Sequence, residues 1–159
     1  MKKIAVGPEA KGQIHLDAPI EDNIRAVAKA KQKSLHDVTV IVQDRHRHTD
    51  LVERARAIGA KVKLFHEVDV TAALAPCLPR LHVDLFIGTG GAPEGVVAAA
   101  AIRSLEGDFQ GRLLPENNEE FARCKRMGLE NPTQLLQLDD LVASDDCFFV
   151  ATGVTDGLL

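Results

Sequence analysis

Short stretches of this 159-residue sequence gather side chains able to hold an anion or a metal ion. The most distinctive is GTGGAPEGVVAAAA, residues 88–101. Gly88, Gly90 and Gly91 permit positive φ and close backbone approach. Pro93 suits the first position of a helix, whose free N–H groups and dipole favour an anion. Glu94 falls in the first turn and has two readings. It is either a carboxylate stabilised by the helix N-terminus, worth about 0.3–1 kcal/mol, or a ligand for a divalent cation that bridges to a phosphate. The glycines do not follow G-x-G-x-x-G and no P-loop lysine is present, which disfavours a Rossmann-like nucleotide site.

A second stretch, DRHRHTD, runs from Asp44 to Asp50. The guanidinium forks of Arg45 and Arg47 match phosphate oxygens; the alternative is a solvated basic turn paired with Asp44 and Asp50. His46 and His48 are weak metal candidates, because nothing nearby completes a ligand set. In the third stretch, HEVDVTAA, Glu67 and Asp69 could accept hydrogen bonds from hydroxyls, as in sugar recognition. Asp69 could equally cap the helix that follows.

The elements that must carry these loops are read from periodicity. Residues 20–33 place Ile20, Ile24 and Val27 on one helical face. A β-branched run at 37–44 is a buried strand, and a helix follows at 49–60 with Thr49 as N-cap and Gly59 as stop. Residues 61–67 form the next strand, 69–78 a short helix ended by proline, and 82–88 a third strand. The small-residue helix then runs to about Leu105. Further on, 107–118 could hold an edge strand, 118–128 is a helix stopped by Gly128, 132–142 is a second short helix, and 145–154 reads as a final strand. Alternating strands and helices predict an α/β fold with a largely parallel or mixed sheet and helices on both faces. No repeat or linker divides it, so residues 1–159 are expected to form a single domain. Ligands in such sheets bind beyond the carboxyl ends of the strands, which is where the three loops fall.

Bulk properties exclude several functions. A net charge of −4 argues against a general nucleic-acid surface. No run approaches the roughly 18 apolar residues needed to cross a bilayer, and the start lacks a signal-peptide core. Cys77, Cys124 and Cys147 are widely spaced, which fits buried bystanders in a reducing cytoplasm better than disulfides or zinc. Only 4% of residues are aromatic, all Phe, so the core must be aliphatic.

The strings KIAVGPEAKG, DRHRH, IGTGGAPEGVVAAAAI, GRL, RCKRMG and ATGVTDG occur in the order seen in class II fructose-1,6-bisphosphatases, and the chain resembles that family over almost its whole length. The family is bacterial, and its cyanobacterial members also act on sedoheptulose 1,7-bisphosphate. The resemblance implies the second lobe of the inositol-monophosphatase-like sugar phosphatase fold. It also implies hydrolysis of the 1-phosphate of fructose 1,6-bisphosphate with Mn2+ or Mg2+. It makes Glu94 a metal ligand and Gly91 a substrate contact. Arg45 and Arg47 become sugar-phosphate ligands, and Glu67 and Asp69 take the places of the family's D-G-D substrate loop.

The departures carry expectations of their own. His46 stands where the family has a loop-stiffening proline, and Val68 stands where it has glycine, which removes easy access to left-handed backbone. Family chains are much longer, and Met1 aligns with one of their internal methionines. Their amino-terminal half carries the remaining metal-binding carboxylates, including a D-P-x-E-G-T string absent here. The chain is therefore expected to be the carboxyl-terminal lobe, incomplete as an isolated enzyme and with an unfinished sheet edge. An amino-terminal half in trans or a homo-oligomer would be its partner. The alternative is a non-catalytic phosphate-binding or dimerising module from a truncated or split gene.

Overall fold

The computed structural model describes residues 1–153, 157 and 158. Its strands are β1 (Lys2–Val6), β2 (Thr39–Gln43), β3 (Lys61–Phe65), β4 (Leu85–Thr89), β5 (Asp108–Arg112) and β6 (Leu136–Gln137). They form one mixed sheet in the order β3-β2-β4-β1-β5-β6. The first three are parallel, whereas β1 runs antiparallel to both β4 and β5, and β6 runs antiparallel to β5.

Alternation along the strands sorts the core into two layers. Ile4, Val6, Val40, Val42, Leu85 and Ile87 face helices α1 (Ile20–Ala30) and α2 (Thr49–Ala57). Ala5, Ile41, Phe86 and Phe109 face α3 (Asp69–Leu74) and α4 (Ala92–Ser104). The expected face of α1 is the buried one, with Ile20, Ile24 and Val27 all at 3% exposure or less. Alanines at 98, 99 and 101 let α4 lie close on the sheet. The remaining helices are α5 (Asn118–Arg126), capped by Asn117, and α6 (Leu138–Leu141). At the rim away from the loops of interest, Asp84 is buried between Lys31 and Lys33, each 2.7 Å away, and accepts the Thr39 N–H.

Several expectations change. The strand β1 escaped sequence reading because its two lysines hide the apolar alternation. It lies between β4 and β5, and β5 is an interior strand rather than an edge because β6 pairs on its other side. The helix expected at 132–142 is the short strand β6 followed by α6. No strand forms between 145 and 153; that segment runs along α4 with Phe149 packed on the alanine-rich layer, and Val154 lies outside the described residues. So does part of the ATGVTDG string, at 154–156. The edges of the described sheet are β3, guarded by exposed Lys61 and Lys63, and the two-residue β6. Thr49 is not an N-cap: its hydroxyl donates to His46 O at 2.8 Å, and His48 precedes the helix without a side-chain cap. Among the described residues no helix is long and apolar enough to cross a membrane. Burial pushes the Cys77 thiol up to about 12, which makes it inert as a nucleophile.

Candidate functional site at the carboxyl rim

The strands β2, β3 and β4 end at one rim, and antiparallel β1 begins there, with Lys2 opposite Thr89. From that rim α2 leaves to one face of the sheet and α3 and α4 to the other, so the loops diverge and open a crevice. The β2–β4 ladder spans only Val40–Leu85 and Ile41–Phe86. Beyond it the strands splay, and the imidazole of His48 takes over. Its Nδ1 donates to Gln43 O at 2.9 Å, and its Nε2 accepts the Thr89 N–H at 2.9 Å. This arrangement requires a neutral ring. Burial lowers the His48 pKa, as do Arg47 and Arg45, against an upward pull from the Gln43 hydrogen bond. His48 is thus a clasp between two strands, and His46 is exposed.

Arg47 is anchored by carbonyl oxygens rather than by an acid. Its Nε and Nη2 donate to Thr89 O at 3.1 and 2.7 Å, and Nη2 also reaches Gln43 Oε1 at 3.2 Å. Arg45 donates to Asp44 O and His66 O. Among the described residues neither arginine has a carboxylate partner: Asp44 faces His66 and Asp50 faces Arg54. The turn is solvated, but the pairing with Asp44 and Asp50 considered from sequence does not form. Two guanidinium groups stand at the rim with uncompensated charge.

Asp69 is the first residue of α3, but it does not cap that helix. It turns into the protein, 7% exposed, and its Oδ2 accepts a 2.7 Å hydrogen bond from Lys3, which is fully buried. Strand alternation puts Lys3 on the same face as Ala5, beneath α3 and α4. The glycine-rich loop makes room for this pair. A Cβ at Gly90 would overlap the Asp69 carboxylate, and one at Gly95 would crowd Met1 Sδ at 2.5 Å and Lys3 Cε at 3.2 Å. Positive φ among the glycines occurs at Gly12, Gly59 and Gly128, none of them in this loop. Close approach, not left-handed backbone, is what the loop needs. Nor does Val68 strain its position, since it adopts an extended φ of −65° and ψ of 145°.

Glu94 lies in the first turn of α4 and folds back over Gly91, where a Cβ would overlap its Oε2. Neither carboxylate oxygen takes a hydrogen bond among the described residues, so the group is free to bind a cation. One free carboxylate is not a metal site, however. Asp69 is neutralised by Lys3, and among the described residues no group of three or more His, Cys, Asp or Glu could hold an ion. The side chains present do not by themselves fit a catalytic metal centre.

A cleft of about 190 Å³ brings together Arg45, Arg47, Asp69, Gly91 and Glu94, with Gln43, Val68 and Gly90 completing its walls. Glu67 is not part of it. Its side chain is exposed toward an adjacent apolar groove, and only its backbone O engages the rim, accepting from Gln43 Nε2 at 2.9 Å. Larger hollows exist, but the one of about 740 Å³ surrounds an Arg103 already paired with Asp139 and Asp145. Lys3, Gln43 and His48 were missed as rim-building residues. A lysine inside an apolar strand pattern was the one sequence signal for Lys3, and it reads equally well as a solvent-facing end.

The family model described as bacterial fructose-1,6-bisphosphatase, glpX-encoded, matches residues 1–159. Among curated proteins, the chain is 42% identical over 170 residues to the fructose-1,6-bisphosphatase class 2 of Haemophilus influenzae, covering 99% of this chain and 51% of that protein. It is 42% identical to fructose-1,6-bisphosphatase 1 class 2 of Escherichia coli K12, with 99% and 50% covered. It is 39% identical to the D-fructose 1,6-bisphosphatase class 2/sedoheptulose 1,7-bisphosphatase of a Synechococcus species, with 99% and 49% covered. The chain spans about half the length of the curated relatives it matches.

Proposed function

The chain belongs to the bacterial fructose-1,6-bisphosphatase family, and from that membership we propose that it supplies the substrate-anchoring face of a sugar-bisphosphate phosphatase, one that hydrolyses the 1-phosphate of fructose 1,6-bisphosphate. The observation that carries this reading is the pair of acid-free guanidinium groups, Arg45 and Arg47, sharing one small cleft with Asp69 and Glu94. The arginines grip a phosphate group, Asp69 accepts a hydrogen bond from a sugar hydroxyl, and Gly91 lets the ligand approach the backbone. Glu67 joins them only through a shift of its loop. Glu94 contributes one ligand to a divalent cation, Mn2+ or Mg2+, which when bound neutralises phosphate charge.

The family is one of metal-dependent phosphatases. The described residues leave the rest of the metal centre unassigned. We assign those carboxylates to sequence equivalent to the other half of the relatives, in the same polypeptide or in a partner chain. Residues 1–159 then act as one α/β unit corresponding to the carboxyl-terminal lobe, working where sugar phosphates are metabolised in the cytoplasm. A second reading is favoured by the lone free carboxylate: the cleft binds sugar phosphates without turnover.

Isothermal calorimetry with fructose 1,6-bisphosphate tests the anchoring role. Arg47→Ala should weaken binding about tenfold or more, the loss of a charge-assisted contact. Binding unchanged by that substitution rejects the assignment.

A further inference from the structure

The pair formed by Lys3 and Asp69 has a depth and an orientation that a simple rim contact does not require. Lysine is almost never fully buried unless paired, and desolvating an ammonium and a carboxylate together is costly even when they meet. An apolar pair of similar volume would pack there at least as well. Asp69 nevertheless lines the cleft, and the pair ties the first strand to the third helix, with Lys3 Nζ 2.7 Å from Asp69 Oδ2. Gly90 is needed to admit the carboxylate, and Gly95 to admit the lysine stem.

The two oxygens of Asp69 are not equivalent. Oδ2 is taken by Lys3 and Oδ1 has no hydrogen-bond partner among the described residues. The one buried, unpartnered side-chain polar atom among them is Arg112 Nε, so Asp69 Oδ1 is not sealed in the core. Asp69 lines the cleft together with Arg45, Arg47 and Glu94, and Oδ1 is its oxygen without a partner there.

We propose that Lys3 is a positioning residue: acting through Asp69, it makes the cleft select a hydroxyl-bearing phosphate ester over inorganic phosphate. The ammonium locks Oδ2 and fixes the carboxylate plane against Gly90. Oδ1 then receives a hydrogen bond from a ligand hydroxyl next to the phosphate held by the arginines. Inorganic phosphate offers the arginines the same oxygens but presents Asp69 with no carbon-borne hydroxyl. This inference rests on the sugar-phosphate reading of the cleft.

The test compares calorimetric affinities of the full chain for fructose 1,6-bisphosphate and for inorganic phosphate. In Lys3→Met the bisphosphate should bind about tenfold more weakly, while inorganic phosphate changes by less than about twofold. In an Asp69→Asn background, Lys3→Met should add no further loss, because its effect passes through the carboxylate. Should the unpaired charge prevent a single variant from folding, the double variant, which buries no charge, is compared with the wild type. It should bind inorganic phosphate normally and lose the preference for the bisphosphate. Retention of the wild-type preference in the folded Lys3→Met or double variant overturns the inference and leaves the arginine assignment intact. Wild-type protein that binds both probes equally overturns the sugar-phosphate reading itself, and the inference with it.

Discussion

At the scale of single residues, the rim is a set of side chains whose charges are deliberately left open or closed. Arg45 and Arg47 are held by carbonyl oxygens, which orient them without cancelling their charge. Asp69 is closed off on one side by Lys3, and Glu94 is left unpartnered at a helix N-terminus. If Glu94 serves as a cation ligand, Glu94→Gln should weaken Mn2+ binding in the presence of inorganic phosphate by about tenfold, read by water-proton relaxation. The same variant should lose only about 0.3–1 kcal/mol of stability, the helix-terminus contribution. Equal Mn2+ affinity in the two proteins would leave Glu94 with the helix-stabilising role alone. Gly90→Ala forces a methyl group onto the Asp69 carboxylate and should cost about 1–3 kcal/mol in urea unfolding. Neither the glutamate's freedom nor the glycine's tightness follows from composition. GGAPEG could be read as an anion loop from its residue types, but the reason for each glycine lay in which distant side chain passes beneath it.

Elements set these residues in place through a splay between β2 and β4, closed by His48. Because the ring must be neutral to accept the Thr89 N–H, protonation breaks the clasp. Its folded pKa lies below 6.5, the value in the unfolded chain, so between the two the unfolded state binds more protons. Stability contributed by the ring is complete above about pH 6.5 and is lost as pH falls through the lower folded value. Denaturant midpoints measured across pH 5–7.5 should show this decline, and His48→Gln should flatten it. An unchanged pH slope in that variant would remove the clasp. At the opposite rim, burial raises the Asp84 carboxyl, but Lys31, Lys33 and the Thr39 N–H outweigh it and hold the group below the ordinary carboxylate range. Asp84→Ala should therefore cost about 3 kcal/mol or more, since it strands two ammonium groups against the start of β2 and β4.

At the scale of the whole molecule, the described residues gather two acid-free guanidinium groups, a lysine-paired aspartate and one free carboxylate in a single cleft, which on the function proposed above is half of a reaction site. Purified as it stands, it should release no phosphate from fructose 1,6-bisphosphate in the presence of Mn2+, measured as free orthophosphate. Supplying the remaining half of a class 2 relative should create activity that Glu94→Ala abolishes. Robust turnover by the chain alone, lost in Glu94→Ala, would show that its own residues complete the metal centre.

What the sequence determined alone is what repeats locally. The face of α1, the existence of the small-residue helix α4, the parallel strands at β2, β3 and β4, and the gathering of their following loops at one rim are all legible in apolar spacing and turn residues, because each depends on neighbours a few positions away. The close match of GGAPEG and its flanking strings to one family is likewise a property of the chain read linearly. Tertiary structure decided the rest. It placed β1 antiparallel between β4 and β5, made β5 an interior strand, left 145–153 without a strand partner, turned Asp69 from a helix cap into the partner of Lys3, and set Glu67 outside the cleft. The physical reason is range. A lysine at position 3 meets an aspartate at position 69 under a glycine at position 90 only because sheet order and register bring three distant segments to one edge, and no local periodicity encodes that meeting.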